Sequence, residues 1–137
     1  MDAPSKTVLI VDDEELVRHV QRRILEDAGF DVVEASDGVE ALALLKSDIP
    51  LLLIISDVDM PNLTGDEMAR EVARTRPGLK VLFVSGRLKK LFADDPVLQE
   101  GRAFLEKPFT KASLIEAVSL LQWGTLKPNF GPDLSTL

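Results

Sequence analysis

Residues 51–61 read LLLIISDVDMP: five aliphatic side chains and a serine, then an abrupt change to acid, turn and proline. A run this short and apolar fits a strand, Leu51–Ser56, covered on both faces in the middle of a parallel sheet. The same grammar recurs on either side of it. Thr7–Val11 (TVLIV) ends on Asp12-Asp13, and Lys80–Val84 ends on Ser85. Ala103–Glu106 ends on Lys107, while Asp31–Ala35 (DVVEA) is a shorter strand of the same kind.

Helical periodicity fills the intervals. Leu16, Val17, Val20, Ile24, Leu25 and Ala28 recur at helical spacing until Gly29. Ser36 is placed to cap a second helix carrying Val39, Ala41, Leu42, Leu44 and Leu45. Thr64 and Glu67 have capping-box spacing for a third, with Met68, Val72 and Ala73 inward and Pro77-Gly78 as its stop. A last helix, capped by Thr110, carries Leu114, Ile115, Val118 and Leu121 to about Gln122. Strand and helix thus alternate five times, which predicts an α/β domain with a doubly wound parallel sheet. Residues 87–101 are the exception: Asp94-Asp95-Pro96 and Gly101 interrupt any regular helix there. Residues 1–6 and 123–137 read as tails around a domain at 7–122, the second rich in proline and glycine.

Composition narrows the function. The 137 residues are 45% hydrophobic and 28% charged, a globular balance. With no cysteine, disulfides, thiolate metal sites and thiol catalysis are excluded. A net charge of −7 disfavours broad nucleic-acid binding. No run approaches a membrane span, and MDAPSK lacks the regions of a signal peptide, so a cytoplasmic location and no membrane partner are expected.

Ligands of open parallel sheets sit at the carboxyl ends of the strands, where strand order reverses. Polar residues fall at four of those ends: Asp12 and Asp13, Asp57, Ser85, and Lys107. Converging carboxylates repel one another unless a cation neutralises them. Oxygen ligands without His or Cys select Mg²⁺ or a similar ion. Adding a lysine and a hydroxyl completes a set suited to phosphoryl transfer onto a carboxylate.

VLIVDDEE at 8–15, ISDVDMP at 55–61, VSG at 84–86 and FLEKPF at 104–109 together resemble the receiver domains of two-component response regulators. The resemblance covers roughly residues 6–122 and implies a flavodoxin-like (βα)5 fold with strand order 2-1-3-4-5. It implies Asp57 as phospho-acceptor and Mg²⁺ (Mn²⁺ as a substitute) held by Asp13 and Asp57, by Asp12 largely through a water, and by the Asp59 carbonyl. Ser85 and Lys107 would contact the phosphoryl group, with Lys107 on Asp57 before it arrives. Phe104 would be the aromatic switch residue, turning inward as Ser85 moves, and Pro108 would follow a cis bond. The donor would be a histidine kinase or phosphotransfer protein, the domain a monomer or weak dimer, and the output face the fourth helix, fifth strand and fifth helix. The irregular 87–101 stretch looks most like receivers of hybrid sensor kinases or single-domain regulators, and it puts that face in doubt.

Plainer readings stand beside these. Asp12-Asp13 also suits capping of the next helix, a role compatible with metal binding. Asp59 and Arg87 would pair across the site mouth and tune access of the hydrolytic water, or stay two solvated side chains. His19 lacks a second ligand, and Leu88, Leu91 and Phe92 read as the inner face of a short helix or as a partner-binding stripe. Two rival functions remain. One is a haloacid-dehalogenase-like phosphatase using Asp57-Val58-Asp59, although its further acidic ligands should follow the nucleophile rather than precede it. The other is a receiver fold used only for docking.

Overall fold

In the computed structural model, residues 5–58, 60, 63–86 and 102–123 are described. Five strands, β1 (Thr7–Val11), β2 (Asp31–Ala35), β3 (Leu53–Asp57), β4 (Lys80–Ser85) and β5 (Arg102–Glu106), pair in parallel in the order β2-β1-β3-β4-β5. Among the described residues the helices are α1 (Glu15–Asp27), α2 (Gly38–Leu45), α3 (Gly65–Thr75) and a C-terminal α4 (Lys111–Trp123). The doubly wound order expected from the alternation is the one observed.

Alternation of side chains along the central strands divides the core in two. Val8, Ile10, Leu53 and Ile55 pack with Leu25 of α1 and with Leu114, Val118 and Leu121 of α4. Leu9, Val11 and Ile54 pack on the other face with Ala41 and Leu45 of α2 and with Met68 and Val72 of α3. All five residues of β3 are buried, as its apolar run requires. Each large side chain so buried contributes about 1.5–3 kcal/mol.

Local details refine several expectations. The third strand starts at Leu53, two residues later than its apolar run, and extends through Asp57. Asp37, not Ser36, caps α2 by accepting from the Glu40 amide at 2.8 Å; the Ser36 hydroxyl instead donates to the Glu40 carboxylate. Position 37 lies next to the first helical residue, where an acceptor meets the open amides. The Thr64–Glu67 capping box forms as expected, and Thr110 exchanges hydrogen bonds with Ser113 at the start of α4.

On α1 the apolar stripe is wider than the buried face. Leu16 is 75% and Val20 47% exposed, whereas Gln21 is buried. The sheet contacts a narrower arc of the helix than the stripe covers, and that arc runs through Gln21 and Leu25.

Two cations reach helix carboxyl ends from distant elements. Arg76 donates to the carbonyls of Leu45, Ser47 and Ile49 after α2. Lys80 donates to those of Leu121 and Gln122 at the end of α4. Both satisfy open carbonyls and complement the helix dipole.

Candidate functional site

Register brings the polar strand ends together. Val11 pairs with Ser56, so Asp12 and Asp57 occupy the next row. Asp57 pairs with Val84, placing Ser85 one residue beyond, and Ser85 pairs with Glu106, placing Lys107 beyond that. The chain moves from β1 outward to β2 and returns to β3 on the other side of β1. The strand order therefore reverses beside Asp12 and Asp57, where a crevice opens.

One carboxylate oxygen from each of Asp12, Asp13 and Asp57 lies within 4.8 Å of the others. Asp12 and Asp57 are buried, and Asp13 is exposed. The Lys107 ammonium donates to Asp12 Oδ2 at 3.1 Å and sits 3.7 Å from Asp57 Oδ2. Its hydrogen bond thus goes to Asp12, with Asp57 as the looser partner. Burial opposes the lysine charge, but the Asp12 hydrogen bond and the charges of Asp12, Asp57 and Glu14 raise its pKa above the ordinary 10.5.

Lys107 offsets one of three clustered negative charges, and the two left over match a divalent cation. The donor set, all hard oxygen, fits such an ion.

Asp12 is held at every polar atom. Its amide donates to the Ala35 carbonyl at 3.2 Å, its Oδ1 accepts from the Glu14 amide at 2.9 Å, and its carbonyl accepts from Arg18 at 2.6 Å. The capping role suggested for the acidic pair is not taken up: the N-cap of α1 is Glu14, with no side-chain cap, and the Asp12 carboxylate closes a turn onto the Glu14 amide just before the helix. Ser85 is buried, and its carbonyl accepts from the Lys107 amide at 2.8 Å, tying β4 to the lysine. The Lys107–Pro108 bond is cis, as expected. Phe104 stacks on Phe83, with ring centroids 5.4 Å apart.

Asp59, Arg87, Leu88, Leu91 and Phe92 lie outside the described residues. His19 is largely exposed and faces Glu15 across 3.7 Å; among the described residues it belongs to no metal-ligand cluster. Arg18 was not singled out in the sequence. The available signal was a cation early in a helix, where the dipole disfavours positive charge.

Residues 8–119 match the response regulator receiver domain family. Sensor kinase CckA of Brucella abortus (strain 2308) is 38% identical over 115 residues, covering 83% of this chain and 12% of that protein. Response regulator MprA of Mycobacterium sp. (strain KMS) is 34% identical over 130 residues, covering 95% of this chain and 56% of that protein. The chain therefore spans less than two thirds of either relative. The crystal structure of a response regulator receiver protein from Sinorhizobium medicae WSM419 superposes with a TM-score of 0.76 at 33% identity, over 86% of this chain and 94% of that one. With a five-stranded parallel sheet, an acidic pocket at its switch point and a family match over most of its length, the chain belongs to the receiver domains of two-component response regulators.

Proposed function

We propose that this receiver accepts a phosphoryl group on Asp57 from a histidine kinase or phosphotransfer protein and signals through the change that follows. The reading is supported above all by one relationship: Asp57 ends the central strand inside the acidic cluster, with Lys107 reaching both Asp12 and Asp57. An Asp57 carboxylate oxygen attacks phosphorus, the bond from phosphorus to the donor imidazole nitrogen breaks, and the imidazole takes up a proton. Water later attacks phosphorus, releasing inorganic phosphate and restoring the carboxylate.

Asp13 and Asp57 would ligate Mg²⁺, or Mn²⁺ in its place, with Asp12 acting through a water and the Asp59 carbonyl as a further ligand. The ion supplies charge neutralisation and orients a phosphoryl oxygen. Lys107 moves from Asp12 toward the new phosphoryl oxygens, which carry up to two negative charges. Ser85 follows them, and Phe104 turns inward beside Phe83. The domain turns over no outside substrate; its chemistry is confined to Asp57.

Incubation with Mg²⁺ and acetyl phosphate, followed by intact mass, tests this. One added phosphoryl group that is absent from Asp57→Asn is expected. A chain that stays unmodified is a docking module instead. Steady hydrolysis of p-nitrophenyl phosphate would point to a phosphatase.

A further inference from the structure

We infer that Arg18 is a positioning residue for the cation site, acting through the Asp12–Asp13 peptide rather than by touching the ion. The inference rests on reading Asp12, Asp13 and Asp57 as a divalent-cation site. Arg18 lies in the first half of α1, where the helix dipole disfavours a cation. Its side chain is nevertheless only 15% exposed and is held at two points. Nη1 donates to the Asp12 carbonyl at 2.6 Å, and Nε donates to Glu34 Oε1 at 3.1 Å.

Glu34, on β2, is the brace. Its other carboxylate oxygen accepts from Arg22, which also pairs with Glu26 and reaches the Val32 carbonyl. Burial works against the Glu34 charge, but the bonds from Arg22 and Arg18 hold its pKa below the ordinary 4.5. The guanidinium fork of Arg18 is therefore fixed in direction before it meets Asp12.

The Asp12 carbonyl and the Asp13 amide share one rigid peptide plane. Gripping the carbonyl sets the direction from which the Asp13 side chain leaves the backbone. That matters because Asp13 is exposed, and among the described residues its carboxylate has no hydrogen-bond partner. Asp12 is tied down by its own contacts; the backbone that carries Asp13 is held by the turn from the Asp12 carboxylate to the Glu14 amide and by the peptide plane that Arg18 grips.

Isothermal titration of Mg²⁺ into the full chain tests this, with Arg22→Ala as the control. Arg22 shares Glu34 but meets the Val32 carbonyl instead of the metal loop. Arg18→Ala should weaken Mg²⁺ binding about tenfold, within the range usual for residues that orient metal ligands, and Arg22→Ala by less than about twofold. Arg18→Lys should recover part of the loss, because an ammonium can donate to the carbonyl but cannot also span to Glu34. Should Arg18→Ala not fold, Glu34→Gln removes the brace and is expected to weaken binding about threefold. Unchanged affinity in Arg18→Ala (or in Glu34→Gln, where that variant stands in), or an equal loss in Arg22→Ala, overturns the role of Arg18. A wild-type chain that takes up no Mg²⁺ overturns the cation-site reading itself, a separate result.

Discussion

Lys107 and Asp12 form a close ion pair at the switch point: the ammonium is 3.1 Å from a carboxylate that is 1% exposed. A charge this well covered depends on its partner. Removing one member of a buried pair costs more than the pair itself contributes, because the survivor is left desolvated.

Lys107→Met should therefore lower stability by about 2 kcal/mol at neutral pH, read from urea unfolding. Because the folded pKa of Lys107 is raised above 10.5, its contribution is fully present below that value and is lost as pH rises through the raised one. The stability gap between wild type and variant should then narrow in strongly alkaline solution. A gap that stays constant there would refute the assignment.

Mg²⁺ should stabilise the fold by mass action. At about a hundredfold excess over Kd the gain is about 2.7 kcal/mol, roughly 8 °C in Tm for a domain of this size. Asp13→Asn should lose most of that shift in a thermal scan, since it removes one carboxylate of the cluster. A full shift in the variant would place the ion elsewhere.

Gly38 opens α2 beneath Leu63, and a Cβ there would overlap the Leu63 side chain. Alanine favours a helix over glycine by about 1 kcal/mol, but forcing the overlap costs about 1–3 kcal/mol. Gly38→Ala should be net destabilising in urea unfolding, and Leu63→Gly in the same chain, which removes the Cβ that a side chain at position 38 would strike first, should relieve the clash. Additive losses in the double variant would exclude this explanation.

Gln21 is buried on α1, and its Oε1 has no hydrogen-bond partner among the described residues. An unmet buried acceptor costs about 1–3 kcal/mol. Gln21→Met keeps the length of the side chain and removes that penalty, so Tm should rise. A fall in Tm would mean that the amide is held by a partner in solution.

The fold and the acidic cluster with its lysine were legible in the sequence because each is written locally. An apolar run followed at once by a polar residue marks a strand and its carboxyl end within six or seven positions. Five such units leave few parallel topologies open. The site residues then converge because they share one sheet edge. The receiver resemblance came from the same four short segments.

Other features needed the tertiary structure. The cap of α2 at Asp37 and the exposure of Leu16 and Val20 depend on how each helix meets the sheet, which periodicity describes only to within part of a turn. The reach of Arg76 and Lys80 to helix ends 27–42 residues away has no local signature at all.

Sequence alone determined which side chains gather at Asp57, since position along a strand settles that. Only the folded chain decided how they pair: Lys107 hydrogen-bonding Asp12 rather than Asp57, and Arg18 gripping the Asp12 carbonyl with Glu34 behind it. Such pairings are chosen by ångström distances between long side chains on different elements, and a residue's place in the chain carries no record of those distances.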